Sequence, residues 1–232
     1  MSPQRPVPEE SAPFEGFPEE ALDFYEGLEA DNSKPYWTDH REQYEAGVAA
    51  PMRALLDELG PEFGEAKFFR PYRDVRFAKD KTPYKTHAGA VVHGGPGDGA
   101  LYVQVSADGL LVAGGYYMCA TDQSRRLRAA VADERTGRQL ERLLDPLLAA
   151  GWTLGGDRLK RVPKEYAEVA AGGGLRGELV RAKALSASRH FPPDDSLCSP
   201  QVRDRVAEGW RALGPLNTWL RDHVGASRVS PR

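Results

Sequence analysis

The densest chemistry in the chain lies between Lys67 and His87. Seven cations fall there, Lys67, Arg70, Arg73, Arg76, Lys79, Lys81 and Lys85, against two carboxylates, Asp74 and Asp80. The segment carries +5 in a chain of formal net charge −3, so the remainder carries −8. Arginine forks suit bidentate binding of phosphate or carboxylate. The interleaved Tyr72, Phe77 and Tyr84 offer rings on which a base or another ring can stack. Asp74 and Asp80 would hold arginine rotamers in place, or move protons if their surroundings shifted their pKa values. The competing reading is a solvated loop whose charges pair with the acidic remainder. Pro83 and the aromatic residues favour an ordered loop, but on composition alone the two readings stand level.

Other chemical motifs fail on context. The glycine cluster at 94–99 lacks the lysine of a phosphate-binding loop and leads into a strand rather than a helix, so it reads as a hairpin turn. A dinucleotide fingerprint would need a following helix too, and no cofactor is expected. His87 and His93 are evenly spaced on one strand and can share a face, yet no third ligand has a compelling position, so no metal is expected. Cys119 and Cys198 lie far apart with no Cys-x-x-Cys pair, which excludes a zinc ribbon, an iron–sulfur cluster and a thioredoxin-type site. No Gly-x-Ser-x-Gly elbow supports a serine nucleophile.

The elements that must position the basic segment follow from hydrophobic spacing. Two hundred and thirty-two residues, 41% hydrophobic and 28% charged, can bury an ordinary core. Residues 1–16 are rich in proline and glutamate and read as a disordered tail, as do residues 225–232. Pro18 suits the first turn of a helix carrying Leu22, Tyr25 and Leu28. Residues 31–35 interrupt it, and Asp39 with Glu42 three residues on reads as the capping box of a second helix. That helix presents Tyr44, Val48, Leu55, Leu56 and Leu59 inward, with a kink or break at Pro51.

Phe68 and Phe69 introduce a strand. Residues 87–93, 101–105 and 110–117 form a three-stranded antiparallel meander, which needs a helix layer on one face. Helices bearing Leu127 and Val131, then Leu140, Leu143, Leu144, Leu147 and Leu148, supply it. Residues 152–154 read as a short strand, and 164–169 as a short helix before a glycine-rich stretch. Residues 185–191 are an ambiguous strand. A last long helix opens at Ser199-Pro200 and runs past Pro215. With no βαβ alternation, the expected fold is α+β, an antiparallel meander packed against several helices in a single unit over 17–224. The start of the chain lacks the basic, apolar pattern of a signal peptide, and no run reaches the length of a spanning helix. A soluble cytoplasmic protein without membrane contact is therefore expected.

Residues 73–85 closely resemble the signature of the domain-of-unknown-function 2461 family of bacterial and fungal proteins: Arg73-Asp74, Arg76-Phe77, then Lys79-Asp80-Lys81-Thr82-Pro83-Tyr84-Lys85. Phe17 and the helix after it, Asn32 with Trp37, Gly114-Gly115-Tyr116, the helix with Arg125 and Arg128, and Leu159 to Lys164 are similar to further parts of that pattern. Together they cover roughly 14–222. The resemblance carries no catalytic residue. It implies one compact unit and places the basic segment within the family pattern, which favours a ligand-binding role.

The expected site is therefore Arg73, Arg76, Lys79, Lys81, Tyr84 and Lys85, with Tyr116 closing it from the meander. Its expected ligand is a small phosphate- or carboxylate-bearing molecule. Whether a reaction follows stays open, with Asp74 or Asp80 the candidate base. The alternatives are a non-catalytic module docking an acidic protein and single-stranded nucleic-acid or RNA binding. The −8 on the rest of the chain opposes the latter.

Overall fold

The computed structural model describes residues 12–76, 79–94 and 99–228. Helix α1 (Glu19–Ala30) begins directly after Pro18, with Glu19 and Glu20 in its first turn, where the helix dipole favours negative charge. Ala21, Phe24, Tyr25 and Leu28 form its buried face. Helix α2 (Lys34–Asp39) starts one turn earlier than the expected box at Asp39 and Glu42. Ser33 Oγ accepts from the Tyr36 N–H at 3.3 Å and Pro35 occupies the first turn. The Ser-Lys-Pro stretch read as an interruption is thus itself a helix start, because proline loses no hydrogen bond there.

Helix α3 (Arg41–Tyr44) passes through a π-helical turn (Glu45–Ala49) into α4 (Ala50–Phe63). The turn immediately precedes Pro51. Proline has no N–H to give and its ring crowds the carbonyl four residues back, and the wider turn absorbs the break expected at that residue. Tyr44, Val48, Leu55, Leu56 and Leu59 are all buried as their spacing requires.

Six strands form one antiparallel sheet: β1 (Ala66–Phe68), β2 (His87–Val92), β3 (Ala100–Ser106), β4 (Gly109–Tyr116), β5 (Thr153–Gly155) and β6 (Leu185–Phe191). Their order is β1-β2-β3-β4-β6-β5. The expected meander is its centre. The ambiguous segment at 185–191 pairs with β4 along its whole length, Leu110 opposite Phe191 through Tyr116 opposite Leu185. Between β4 and β6 the chain makes α5 (Thr121–Ala132), α6 (Glu134–Ala149), β5, a 3₁₀ turn (Lys164–Tyr166), α7 (Ala167–Ala171) and α8 (Gly174–Leu179). The last long helix is α9 (Gln201–His223).

Period-2 alternation divides the sheet into two unlike faces. Leu101, Val103 and Val105 of β3, Leu110 and Val112 of β4, and Leu185 and Ala187 of β6 are buried. Helix α9 lies against this side. A side chain at Gly209 would meet Val112 at 2.9 Å, and one at Gly114 would meet Leu213 at 2.9 Å. Trp210 Nε1 donates to the Tyr102 carbonyl at 3.1 Å, and Phe63 of α4 packs edge-on against the Trp210 ring. Trp219 Nε1 ties α9 to α6 through the Thr136 carbonyl at 3.1 Å. Leu140, Leu144 and Leu147 of α6 are buried, whereas Leu148 at the margin of that stripe is 40% exposed. Tyr102, Gln104, Leu111, Ala113, Ser186 and Ser188, on the opposite register, remain half exposed.

A single core joins Phe14 to Val224. Both expected tails are shorter than their composition suggested. Phe14 is buried, packs edge-on against Phe17 and donates its N–H to Glu58 at 2.7 Å. Gly16 has φ +116°, and a Cβ there would lie 2.3 Å from the Cys198 backbone, so only glycine passes. At the other end, Gln123 donates to the Gly225 carbonyl and the Arg228 N–H donates to Asp122, each at 2.8 Å. These bonds hold residues 225–228 on the first turn of α5. Residues 1–11 and 229–232, the rest of the expected tails, lie outside the described residues, as do the tip of the turn at 95–98 and Phe77. Among the described residues no helix is long and apolar enough to cross a membrane.

Candidate functional site

The basic segment leaves β1 and returns to β2 as a narrow loop with an aromatic root. Tyr72 and Tyr84 form an antiparallel bridge. It is closed by bonds from Arg73 N to the Pro83 carbonyl at 2.9 Å and from Lys85 N to the Pro71 carbonyl at 2.8 Å. Tyr84 is buried, its ring stacked on Trp37 at 4.5 Å with planes 8° apart. Asn32 brackets the same residue, accepting from its N–H and donating to its carbonyl, both at 3.1 Å. Tyr72 leans on both rings, 5.5 Å from Tyr84 and 5.9 Å from Trp37, and is half exposed. The junction between α1 and α2 thus grips the loop by its root. Tyr84, expected to face a ligand, serves that grip instead.

At the tip the two arginines are paired with the two carboxylates. Arg73 donates to Asp80 and to the Thr82 hydroxyl. Asp80 also accepts from the Thr82 N–H and hydroxyl, each at 2.9 Å. The Thr82 N–H first, then the Arg73 guanidinium, hold its carboxyl down at about 2. Arg76 makes a forked pair with Asp74, at 2.9 Å and 2.6 Å, which depresses the Asp74 carboxyl as well. Lys81 donates to the Val75 carbonyl at 2.9 Å, and Lys79 is exposed. Both carboxylates are engaged with arginines, Asp80 with Arg73 and Asp74 with Arg76. They are the rotamer-holding partners of the arginines.

At the β1–β2 edge the arrangement is different. The Lys85 ammonium lies 5.1 Å from the centre of the Phe69 ring and the Lys67 ammonium 6.0 Å from it, within reach of a cation–π interaction. Lys85 donates to the Arg70 carbonyl at 3.0 Å. Burial first, and then the Arg70 charge, lower the Lys85 pKa. His87, next on that face of β2, is lowered by burial, then by Lys85 and Arg73. Among the described residues Lys67, Arg70 and Lys85 form no ion pair. The cluster therefore keeps a positive field, whereas at the tip two of the four cations are paired with carboxylates.

Of the seven expected site residues, Lys85 alone belongs to this cluster. Tyr116 is not brought to it. It sits opposite Leu185 at the far end of β4, seven residues from the Gly109 end that lies level with His87 through Ser106. That is about 23 Å along the strand at ~3.3 Å per residue, and Tyr116 has the register of the helix-covered side. Lys67, Arg70, Phe69 and His87 were visible as cations, a strand residue and a strand flank but were not nominated. The signal available was alternation: Lys67 and Phe69 are two apart and share a face.

No alternative centre emerges among the described residues. They contain no group of three or more His, Cys, Asp and Glu side chains able to hold a metal. Cys119 and Cys198 are free, and burial pushes the Cys119 thiol up to about 11, away from nucleophilic use. Two open crevices, of about 380 Å³ beside Arg126 and Arg221 and about 490 Å³ beside Gly172–Gly174, lie away from the basic segment.

No curated protein matches the chain. The family model described as "Conserved hypothetical protein (DUF2461)" matches residues 20–219. That span takes in Asn32 and Trp37 together with the loop they grip and the edge cluster beside it. The chain belongs to the DUF2461 family of conserved hypothetical proteins.

Proposed function

We propose that this protein binds a small phosphate- or carboxylate-bearing molecule at the β1–β2 edge, with Lys67, Arg70 and Lys85 as the anion-holding cations. The observation that carries the reading is the approach of two ammonium groups to the Phe69 ring with no carboxylate paired to either among the described residues. An anion docked there would meet both ammonium groups and offset the Arg70 charge that acts on Lys85. Each charge-assisted contact is worth about 2 kcal/mol, close to thirty-fold in affinity. Arg73 and Arg76, already engaged with Asp80 and Asp74, shape the loop rather than clamp the ligand. Among the described residues no side chain at the edge is paired as nucleophile and base, and the proposed function is binding.

The test is a binding screen of inorganic phosphate, sugar phosphates and dicarboxylates by calorimetry, on the wild type, Lys85→Ala and Arg76→Ala. The reading requires at least one anion that binds the wild type, is lost with Lys85 and is kept by Arg76→Ala. It also requires the His87 imidazole, followed by NMR, to titrate at higher pH when the anion is bound, because a nearby negative charge favours the protonated ring. Equal losses in both variants, or no binding by any anion, overturn it.

A further inference from the structure

The cation cluster continues onto the half-exposed side of the sheet, and what lies there narrows the ligand. Phe69 follows Lys67 on that face, and its N–H bonds to the Gly89 carbonyl at 3.0 Å. Gly89 is opposite Gln104, and Val91 is opposite Tyr102. The phenol end of Tyr102 lies across Gly89: a Cβ there would fall 2.4 Å from the hydroxyl and 3.0 Å from the ring carbon bearing it. Glycine at this position thus lets the ring lie down on the sheet. The Tyr102 hydroxyl donates to Gln104 Oε1 at 2.8 Å, and the other end of that amide has no protein partner among the described residues. Beyond this point the face is neutral, with Leu111, Ala113, Ser186 and Ser188.

We propose that this patch seats the planar ring of a mononucleotide-like ligand, a heterocycle stacked on Tyr102 and Phe69 and read at its polar edge by Gln104, while its phosphate meets Lys67 and Lys85. The inference rests on the anion site proposed above and adds the class of molecule attached to the anion. Rings of every base stack on aromatic side chains, and the free amide supplies donors toward a heterocycle's carbonyl or ring nitrogen. On the sheet face itself Lys67 and Lys85 match the charge of a single phosphate group, and no further Lys or Arg follows among Leu111, Ala113, Ser186 and Ser188. A nucleic-acid strand would need further cations along its track.

The experiment compares adenosine monophosphate, guanosine monophosphate, ribose 5-phosphate and a short single-stranded oligonucleotide on the intact protein, by calorimetry at two salt concentrations. At least one nucleoside monophosphate should bind about ten-fold or more tightly than ribose 5-phosphate, as one stacked ring contributes. Tyr102→Ala should erase that preference and leave ribose 5-phosphate unchanged. Gly89→Ala, which lifts the ring, should weaken the preference in the same direction. Gln104→Leu should reduce it and alter the order of the two nucleotides. Equal binding of both nucleotides and ribose 5-phosphate overturns the ring site but leaves the anion site standing. Failure of every phosphate to bind overturns the ring site, and overturns the anion site as well only if the dicarboxylates of the first screen also fail. Much tighter, strongly salt-dependent binding of the oligonucleotide replaces the mononucleotide with a nucleic-acid strand. Circular dichroism of each variant separates loss of binding from loss of fold.

Discussion

The tip of the basic loop and its junction with the sheet are both cationic but differ in how their charges are paired. At the tip Arg73 faces Asp80 and Arg76 faces Asp74. At the junction Lys67, Arg70 and Lys85 face one another and a phenylalanine ring. A carboxylate two to seven residues away in sequence folds back on an arginine at little cost in chain entropy, so the tip's two arginines are neutralised locally. Among the described residues neither aspartate forms an ion pair with the junction, although the Arg70 charge helps lower the Asp74 carboxyl; the junction's cations are brought together by the pairing of β1 with β2. A run of positive charge therefore identifies a region, and only the pairing within it shows which charges remain available.

If the aromatic root is what holds both halves in place, Tyr84→Ala should be the most damaging single change in the segment. It removes a buried ring stacked on Trp37, a loss of about 3–5 kcal/mol for a core aromatic residue, measurable by urea denaturation. A smaller loss, with the edge still binding anions, would show that the loop does not depend on its root. Asn32→Ala strips both hydrogen bonds from the Tyr84 backbone. It should cost about 1–3 kcal/mol and loosen the loop, seen as faster amide exchange at Tyr84 and Lys85.

Lys85→Ala should weaken anion binding by roughly thirty-fold with little effect on folding, whereas Arg76→Ala should change neither measurably. Its pair with Asp74 is fully exposed, and such pairs contribute little. A large stability loss in Arg76→Ala would erase the contrast drawn here between tip and junction. The smallest effect is in pH. The folded-state pKa of His87 is lowered by burial, Lys85 and Arg73, so the unfolded chain binds its proton more readily. Its contribution to stability is present above the ordinary histidine value near 6.5 and is lost as pH falls below it. His87→Gln should flatten that part of the stability profile.

Much of the architecture was legible in one-dimensional pattern. Two-residue alternation marked the meander, and three- and four-residue spacing marked α1, α6 and α9. Those signals are local, since a strand or helix face is set by residues within a turn or two. The Ser33 cap was harder to read because a proline that interrupts one helix can equally begin another. Phe14 and residues 225–228 were hidden for a different reason. Their polar or proline-rich neighbours resemble tail, and what orders them lies far away in sequence, at Glu58, Asp122 and Gln123.

The candidate site divides along the same line. Residue types and spacing determined that a cationic, aromatic segment lies between two strands, and that Asn32, Trp37 and the loop belong to one family pattern. Tertiary structure decided that Asn32 and Trp37 are the hands that hold Tyr84. It also decided that Arg73 and Arg76 are spent on nearby carboxylates, while Lys67, Arg70 and Lys85 form no ion pair among the described residues. The reason is physical: charge is additive along a sequence, but its effect depends on distance. Only the antiparallel pairing of β1 with β2 sets the distance between residues 67 and 85.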